Sequence, residues 1–186
     1  MSSVKRVVIG PNQDRKSAAL FHDSPNHLED TDIFWRSTLW ATTELPADNT
    51  IPGDRSVDVV AREPVGNGLF FRALEIPPDI ADVQRHIDEL EKVNKEVKQK
   101  YPPTAADLAR HPSMHRTDTL DMFTVAYGEI YLMTDTDETR LGPGDTAVVQ
   151  GVNHAWANRS DKPCMIIGVM VHANPWPADR YPAPGL

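Results

Sequence analysis

Residues 111–121 read HPSMHRTDTLD and residues 150–158 read QGVNHAWAN, and these two stretches decide the fold. The first packs His111, His115, Thr117, Asp118 and Asp121 into eleven positions directly before a strand-like run, 122–134. The second follows a turn, Leu141-Gly142-Pro143-Gly144-Asp145, and a short apolar segment, 146–149. Two imidazoles, His115 and His154, and one carboxylate, Asp121, converging from separate strands are what a first-row divalent metal needs. Neutral nitrogen and anionic oxygen satisfy such a cation and leave positions open for a substrate.

Outward from these stretches the chain is punctuated by proline, 16 among 186 residues, against an average usage of about 5%. The prolines fall between short apolar segments, at Pro46, Pro52, Pro77-Pro78, Pro102-Pro103 and Pro143. That pattern predicts many short strands joined by turns, and a mostly β class. Strand candidates are 4–9, 18–22, 34–43, 68–76, 122–134, 146–149, 154–158 and 163–172, rich in β-branched, aromatic or other apolar residues. One segment, 79–100, departs: Ile80, Val83, Ile87, Leu90, Val93 and Val97 recur every three or four positions without an intervening glycine or proline, which predicts an amphipathic helix. Residues 105–114 read as a loop.

Composition narrows the function classes. Nineteen Lys and Arg against 27 Asp and Glu give a net charge of −8, and no basic cluster interrupts it, so a phosphate-tracking nucleic-acid surface is not expected. The longest apolar run, 165–171, is far shorter than a membrane span. The N-terminus lacks a secretory pattern. The single cysteine, Cys164, sits in an apolar run and reads as a buried thiol, which fits a reducing, cytoplasmic setting. No Gly-x-Ser-x-Gly elbow, phosphate loop or dinucleotide fingerprint is present.

The two stretches resemble the paired motifs of the cupin superfamily. In the first, His115-x-Thr117 is followed after three residues by Asp121 and after six more by Gly128; in the second, Gly144-Asp145, Gly151, His154 and Asn158 fall in the motif places. Thr117 stands where that family has its second motif histidine, and Asp121 where it has glutamate. The wording is similar to single-domain cupins of the type 2 conserved barrel with a long N-terminal extension. The resemblance implies an antiparallel double-stranded β-helix, the cupin or jelly-roll barrel, with extra N-terminal strands and one amphipathic helix. One domain would span 1–186: an extension at 1–110, the barrel motifs at 111–172 and a proline-rich tail at 173–186. It further implies a divalent metal in the barrel, held by His115, Asp121 and His154, iron ahead of manganese, nickel or zinc, and a homodimer built partly by the N-terminal strands.

His111 is a possible extra ligand. Strand parity puts Phe123, Val125 and Tyr127 on the face of Asp121, and Trp156 and Asn158 on the face of His154, which would line a pocket together with Thr117. Asp121 and Tyr127 are the candidate acid or base groups. The expected function is a metal-dependent cupin enzyme acting on a small, aromatic or carbonyl-containing molecule by oxygenase (oxidoreductase), decarboxylase, isomerase or lyase chemistry. The other reading is a non-catalytic cupin that binds a small ligand beside a degraded metal site.

Overall fold

Alternation of buried and exposed positions along the strands stacks two antiparallel sheets around one apolar core. The structure is a computed structural model and describes residues 4–24, 29–31, 33–56 and 61–181. The strands are β1 (Arg6–Pro11), β2 (Ser17–Asp23), β3 (Glu29–Asp30), β4 (Trp35–Thr42), β5 (Leu69–Ile76), β6 (Thr119–Tyr127), β7 (Ile130–Met133), β8 (Glu138–Leu141), β9 (Thr146–Gln150), β10 (Ala155–Ala157) and β11 (Cys164–His172). Two helices, α1 (Val83–Glu96) and α2 (Ala105–Arg110), lie between β5 and β6. A six-stranded sheet in the order β3-β4-β5-β11-β6-β9 faces a three-stranded sheet, β10-β7-β8. Phe70, Phe123, Val125, Ile130 and Ile166 fill the space between them, with Leu141 and Trp156 packed on the same cluster. This is the expected mostly β, jelly-roll class, with strands and a helix added before the barrel. Among the described residues no helix is long and apolar enough to cross a membrane.

The large sheet has two different faces. Its inner face carries Arg36 and Thr38 from β4, Arg72 and Leu74 from β5, Ile166 and Met170 from β11, and Asp121, Phe123 and Val125 from β6. Its outer face is covered at one end by a cluster of Trp35, Leu39, Ala73 and Met165, on which Val4 packs. The β1–β2 hairpin is tied there by Arg6, whose guanidinium bonds Asp23, Asp54 and the Leu39 carbonyl.

Four local readings are corrected. The run 122–134 is two strands, split at Gly128, whose φ of +79° is open to glycine; a Cβ there would stand 2.5 Å from the Pro163 carbonyl. The helix is shorter than 79–100. Asp82 caps its start by accepting from the Arg85 N–H, and Lys98, at φ +53°, ends it. Asp79 is diverted to other partners, described below. Residues 105–110 are helical rather than loop, because Thr104 and Asp107 form a reciprocal capping box. β8 was not expected at all: its Glu138-Thr139-Arg140 face is exposed and carries no apolar alternation.

Leu90 and Val93 of helix α1, with Val97 at its C-cap, pack against Ile33, with Phe34 and Ile80 alongside. The helix thereby closes one side of a cavity of about 110 Å³ that opens between the inner sheet face, β10 and the turn 77–80. The last residues of the expected tail, 182–186, lie outside the described residues.

Candidate functional site

His115 and His154 are paired by their own backbones. Each N–H donates to the other's carbonyl at 2.9 Å, an isolated antiparallel bridge outside the named strands. Directly opposed residues of such a pair project to the same side, and the two imidazole centroids stand 4.3 Å apart. Behind the rings, His115 Nδ1 meets the Ser113 carbonyl and His154 Nδ1 meets the Val152 carbonyl, both at 2.9 Å. A carbonyl only accepts, so each Nδ1 carries the proton and each Nε2 keeps its lone pair. Both side chains line the cavity.

Burial holds the pair neutral. Desolvation pushes His154 down to about 4, with the Arg62 charge adding to the fall. His115 is driven well below the ordinary histidine range, first by desolvation and then by its partner imidazole and by Arg62 and Arg36. Asp121 lines the same cavity and is 3% exposed. Desolvation raises its carboxyl to about 6, a hydrogen bond from Thr119 opposing the rise. Its Oδ1 is buried with no hydrogen-bond partner.

This donor set fits a divalent cation in part. Two neutral imidazoles with fixed tautomers are suitable nitrogen ligands, and the carbonyl behind each ring is the usual outer support. Among the described residues, however, no group of three His, Cys, Asp or Glu side chains is placed to hold a metal ion. Asp121 shares the cavity wall but does not join the histidines as a third ligand. An aspartate reaches one methylene less far than the glutamate of the motif, and this one is bonded to Thr119.

The remaining expected site residues divide. Phe123 and Trp156 line the cavity, with ring centroids 6.1 Å apart in an edge arrangement, and Trp156 meets the His154 ring at 6.3 Å. Thr117 is 1% exposed and bonds Thr119 Oγ1 at 2.7 Å, so it continues a hydroxyl chain to Asp121 instead of facing the cavity. His111 is not available as an extra ligand. Its Nδ1 accepts from the Ser113 N–H at 3.1 Å and its Nε2 bonds Asp79 at 3.2 Å. Asn158 is a structural bracket: its amide donates to the Ile76 and Lys162 carbonyls at 2.8 Å, its Oδ1 accepts from Ser160, and its N–H is held by Asp79. Tyr127 lies outside the cavity. Ala126 is an extra residue between the pairs Val125↔Ile166 and Tyr127↔Met165, and this bulge turns Tyr127 to the outer face.

Sequence reading missed three arginines on the cavity wall: Arg36, Arg62 and Arg72. Arg72 is 1% exposed, its guanidinium carbon 3.9 Å from the Phe70 centroid. The signal was a charged residue inside an apolar strand pattern, as in LFFRALEI, which demands a polar destination indoors.

A family match covers the barrel part of the chain. Residues 97–171 match the family Cupin_2, described as cupin domain. The chain is 52% identical over 48 residues to the phomopsin biosynthesis cluster protein C' of Diaporthe leptostromiformis, a quarter of each chain. It is 46% identical over 50 residues to the oryzines biosynthesis cluster protein J of Aspergillus oryzae, 26% of this chain and 28% of the relative. These matches thus span only about a quarter of the curated relatives' length. Among solved structures, the Schizosaccharomyces pombe Cnp3 cupin domain aligns over 90% of this chain and 87% of its own, at 8% identity and a TM-score of 0.46.

Proposed function

Because this chain belongs to the cupin superfamily, its cupin domain lying at residues 97–171, we propose that it is a metal-dependent enzyme acting on a small organic molecule held in the cavity. The observation that carries the reading is the His115–His154 pair, two neutral imidazoles with their Nδ1 atoms anchored on carbonyls. His115 and His154 would hold the cation. When bound, such a cation supplies Lewis-acid polarisation of a substrate carbonyl or enolate oxygen. With only the two imidazoles placed together among the described residues, iron, manganese, nickel and zinc are all candidates.

The chain's own groups do the rest. Phe123 and Trp156 give one wall an aromatic surface on which a planar substrate can rest. Asp121, with its carboxyl raised to about 6, can take or release a proton at Oδ1 near neutral pH. His86, Leu90 and Asn94 of helix α1 and Met170 add to the cavity wall. The names of the two relatives refer to biosynthesis clusters, which supports a small-molecule substrate. Decarboxylation, isomerisation, lyase and oxygenase chemistry all remain compatible with this fold.

Elemental analysis of natively purified protein tests the proposal. We expect close to one equivalent of iron, manganese, nickel or zinc, lost in His154→Ala. Protein that purifies without metal and shows no calorimetric binding of any of the four would overturn it. The second reading, a non-catalytic ligand-binding cupin, draws on the absence of a three-donor group among the described residues. It predicts ligand affinity within a few-fold of wild type in His154→Ala.

A further inference from the structure

Helix α1 lines the cavity with one stripe of side chains, His86, Leu90 and Asn94. Positions four apart share a helix face, so this is the inward side of the amphipathic pattern. Two of the three are settled there. Leu90 joins the apolar cluster with Ile33, and Asn94 Oδ1 accepts from Arg62 Nη2 at 2.6 Å. His86 is different. It is 7% exposed and meets His111 edge-on, with ring centroids 5.8 Å apart. Among the described residues, neither of its ring nitrogens has a hydrogen-bond partner.

The polar groups beside it are engaged with one another. His111 Nδ1 accepts from the Ser113 N–H at 3.1 Å and lies 2.7 Å from the Ser113 hydroxyl, and its Nε2 bonds Asp79 Oδ2 at 3.2 Å. Asp79 Oδ1 accepts from the Asn158 N–H at 3.2 Å. These bonds fix the His111 tautomer, as the Ser113 and Val152 carbonyls fix those of His115 and His154. Nothing comparable fixes the tautomer of His86 among the described residues. Desolvation, helped by the nearby His111 and opposed by Asp79, holds its pKa below the ordinary histidine value, so the ring is neutral at pH 7. A neutral imidazole carries one donor and one acceptor, and burying either without a partner is costly. Such a ring on a cavity wall is suited to a ligand's polar atom.

Among simple polar groups a hydroxyl fits this ring best. It both donates and accepts, so it pairs with either tautomer and with whichever nitrogen it reaches. A carboxylate would call for the charged ring that burial disfavours. The neighbouring wall supplies the shape: Leu74 and Ile76 are apolar, and Phe123 and Trp156 stand edge to face with centroids 6.1 Å apart. A planar skeleton can lie against them.

We propose that His86 is a specificity-determining residue that binds the hydroxyl group of a small planar molecule, phenol-like in chemistry, lying against Phe123 and Trp156. This names a substrate class for the cavity already assigned and rests on that assignment, but not on the cation.

The test uses full-length protein treated with a chelator, so that no cation can hold the oxygen, with phenol, toluene and benzoate as probes, read by calorimetry. The quantity compared between variants is the ratio of phenol to toluene affinity, in which the different hydration of the two probes cancels. We expect this ratio to be at least tenfold higher in wild type than in His86→Phe, which keeps a ring of similar bulk and loses its nitrogens. His86→Gln, which retains a donor and an acceptor, should keep the ratio within threefold of wild type. In wild type the nitrogen NMR signals of the His86 ring should shift at saturating phenol, a readout that needs no variant to fold. An unchanged ratio in His86→Phe, a ratio in His86→Gln as low as that in His86→Phe, or ring signals that stay in place would each overturn the inference. So would benzoate binding more tightly than phenol. The two proposals fail separately. Protein that recognises phenol through His86 but takes up no metal sinks the metal-enzyme reading alone, and protein that binds metal but is indifferent to the hydroxyl sinks this one.

Discussion

The Tyr127 hydroxyl donates to Glu75 across β11, on the outer face of the six-stranded sheet. One extra residue, Ala126, is enough to carry this phenol away from the inner face that bears Asp121, Phe123 and Val125. Tyr127→Phe should therefore leave metal content and ligand affinity at wild-type values. Its cost is one partly exposed hydrogen bond, about 0.5–1.5 kcal/mol in stability. Urea denaturation gives the stability and calorimetry the binding; a loss of ligand affinity beyond threefold would return Tyr127 to the site.

Asp121 sets a pH dependence of unusual sign. Its carboxyl is raised from 3.8 to about 6 by burial, so the unfolded chain ionises it first. Stability of the metal-free protein should fall as pH rises from about 4 to about 6 and stay lower above. Asp121→Asn should flatten that slope and stabilise the protein at pH 8 by on the order of 1–3 kcal/mol. A variant no more stable than wild type at pH 8 would remove burial as the cause.

Asp54 acts in the opposite direction. The Arg6 guanidinium holds its carboxyl down at about 2, so its contribution is present above the unfolded value of 3.8 and is lost as pH falls toward 2. With a side-chain exposure of 23% and screening by salt, the pair is worth on the order of 1 kcal/mol. Urea midpoints of wild type and Asp54→Asn, measured from pH 7 to pH 2.5, should converge at the acid end. Parallel curves would count against the pairing.

How much of this could be read beforehand depended on the range of the signal. Fold class and the closeness of His115 and His154 follow from two local motifs, and helix α1 from a local apolar period. Residues whose roles depend on register do not follow from spacing: the bulge at Ala126 inverts parity for Tyr127, and β4–β5 pairing brings Arg36 and Arg72 to the motif residues from far upstream. Asn158 sits in a motif place and His111 reads as a possible extra ligand, but both are claimed by Asp79, seventy-nine residues from Asn158 in the chain. The α2 capping box, Thr104 to Asp107, was available in the sequence and simply outweighed by composition.

Gly128 admits a direct check on the turn between β6 and β7. Alanine there would hold a positive φ of 79° with its Cβ 2.5 Å from the Pro163 oxygen and 2.7 Å from Cys164 Cα. Gly128→Ala should cost about 1–3 kcal/mol and lower the thermal midpoint by several degrees. An unchanged midpoint would mean the turn is not built as described.

The expected homodimer gains a candidate surface on the outer sheet face, though not on the N-terminal hairpin alone. Trp40, Phe71, Val169, Met122 and Val148 form one cross-strand row, and Phe71, Met122 and Val148 are 37%, 39% and 57% exposed. An apolar row of that extent favours association, and one patch meeting its own copy closes as a two-fold dimer. Light scattering should return a dimer mass, and Met122→Lys with Val148→Asp a monomer. A monomeric wild-type protein would rule the surface out.

The cavity is assembled from two stretches of chain. The histidine pair, Asp121 and the aromatic edge lie within 97–171, while Arg36, Arg62, Arg72 and helix α1 precede it. On the proposed reading, the groups that would act and the wall that would select a ligand lie in separable text. Grafting a different first ninety-odd residues onto the same barrel would change what the protein recognises without touching the groups that would act on it, a division of labour under which one part can drift while the other is held.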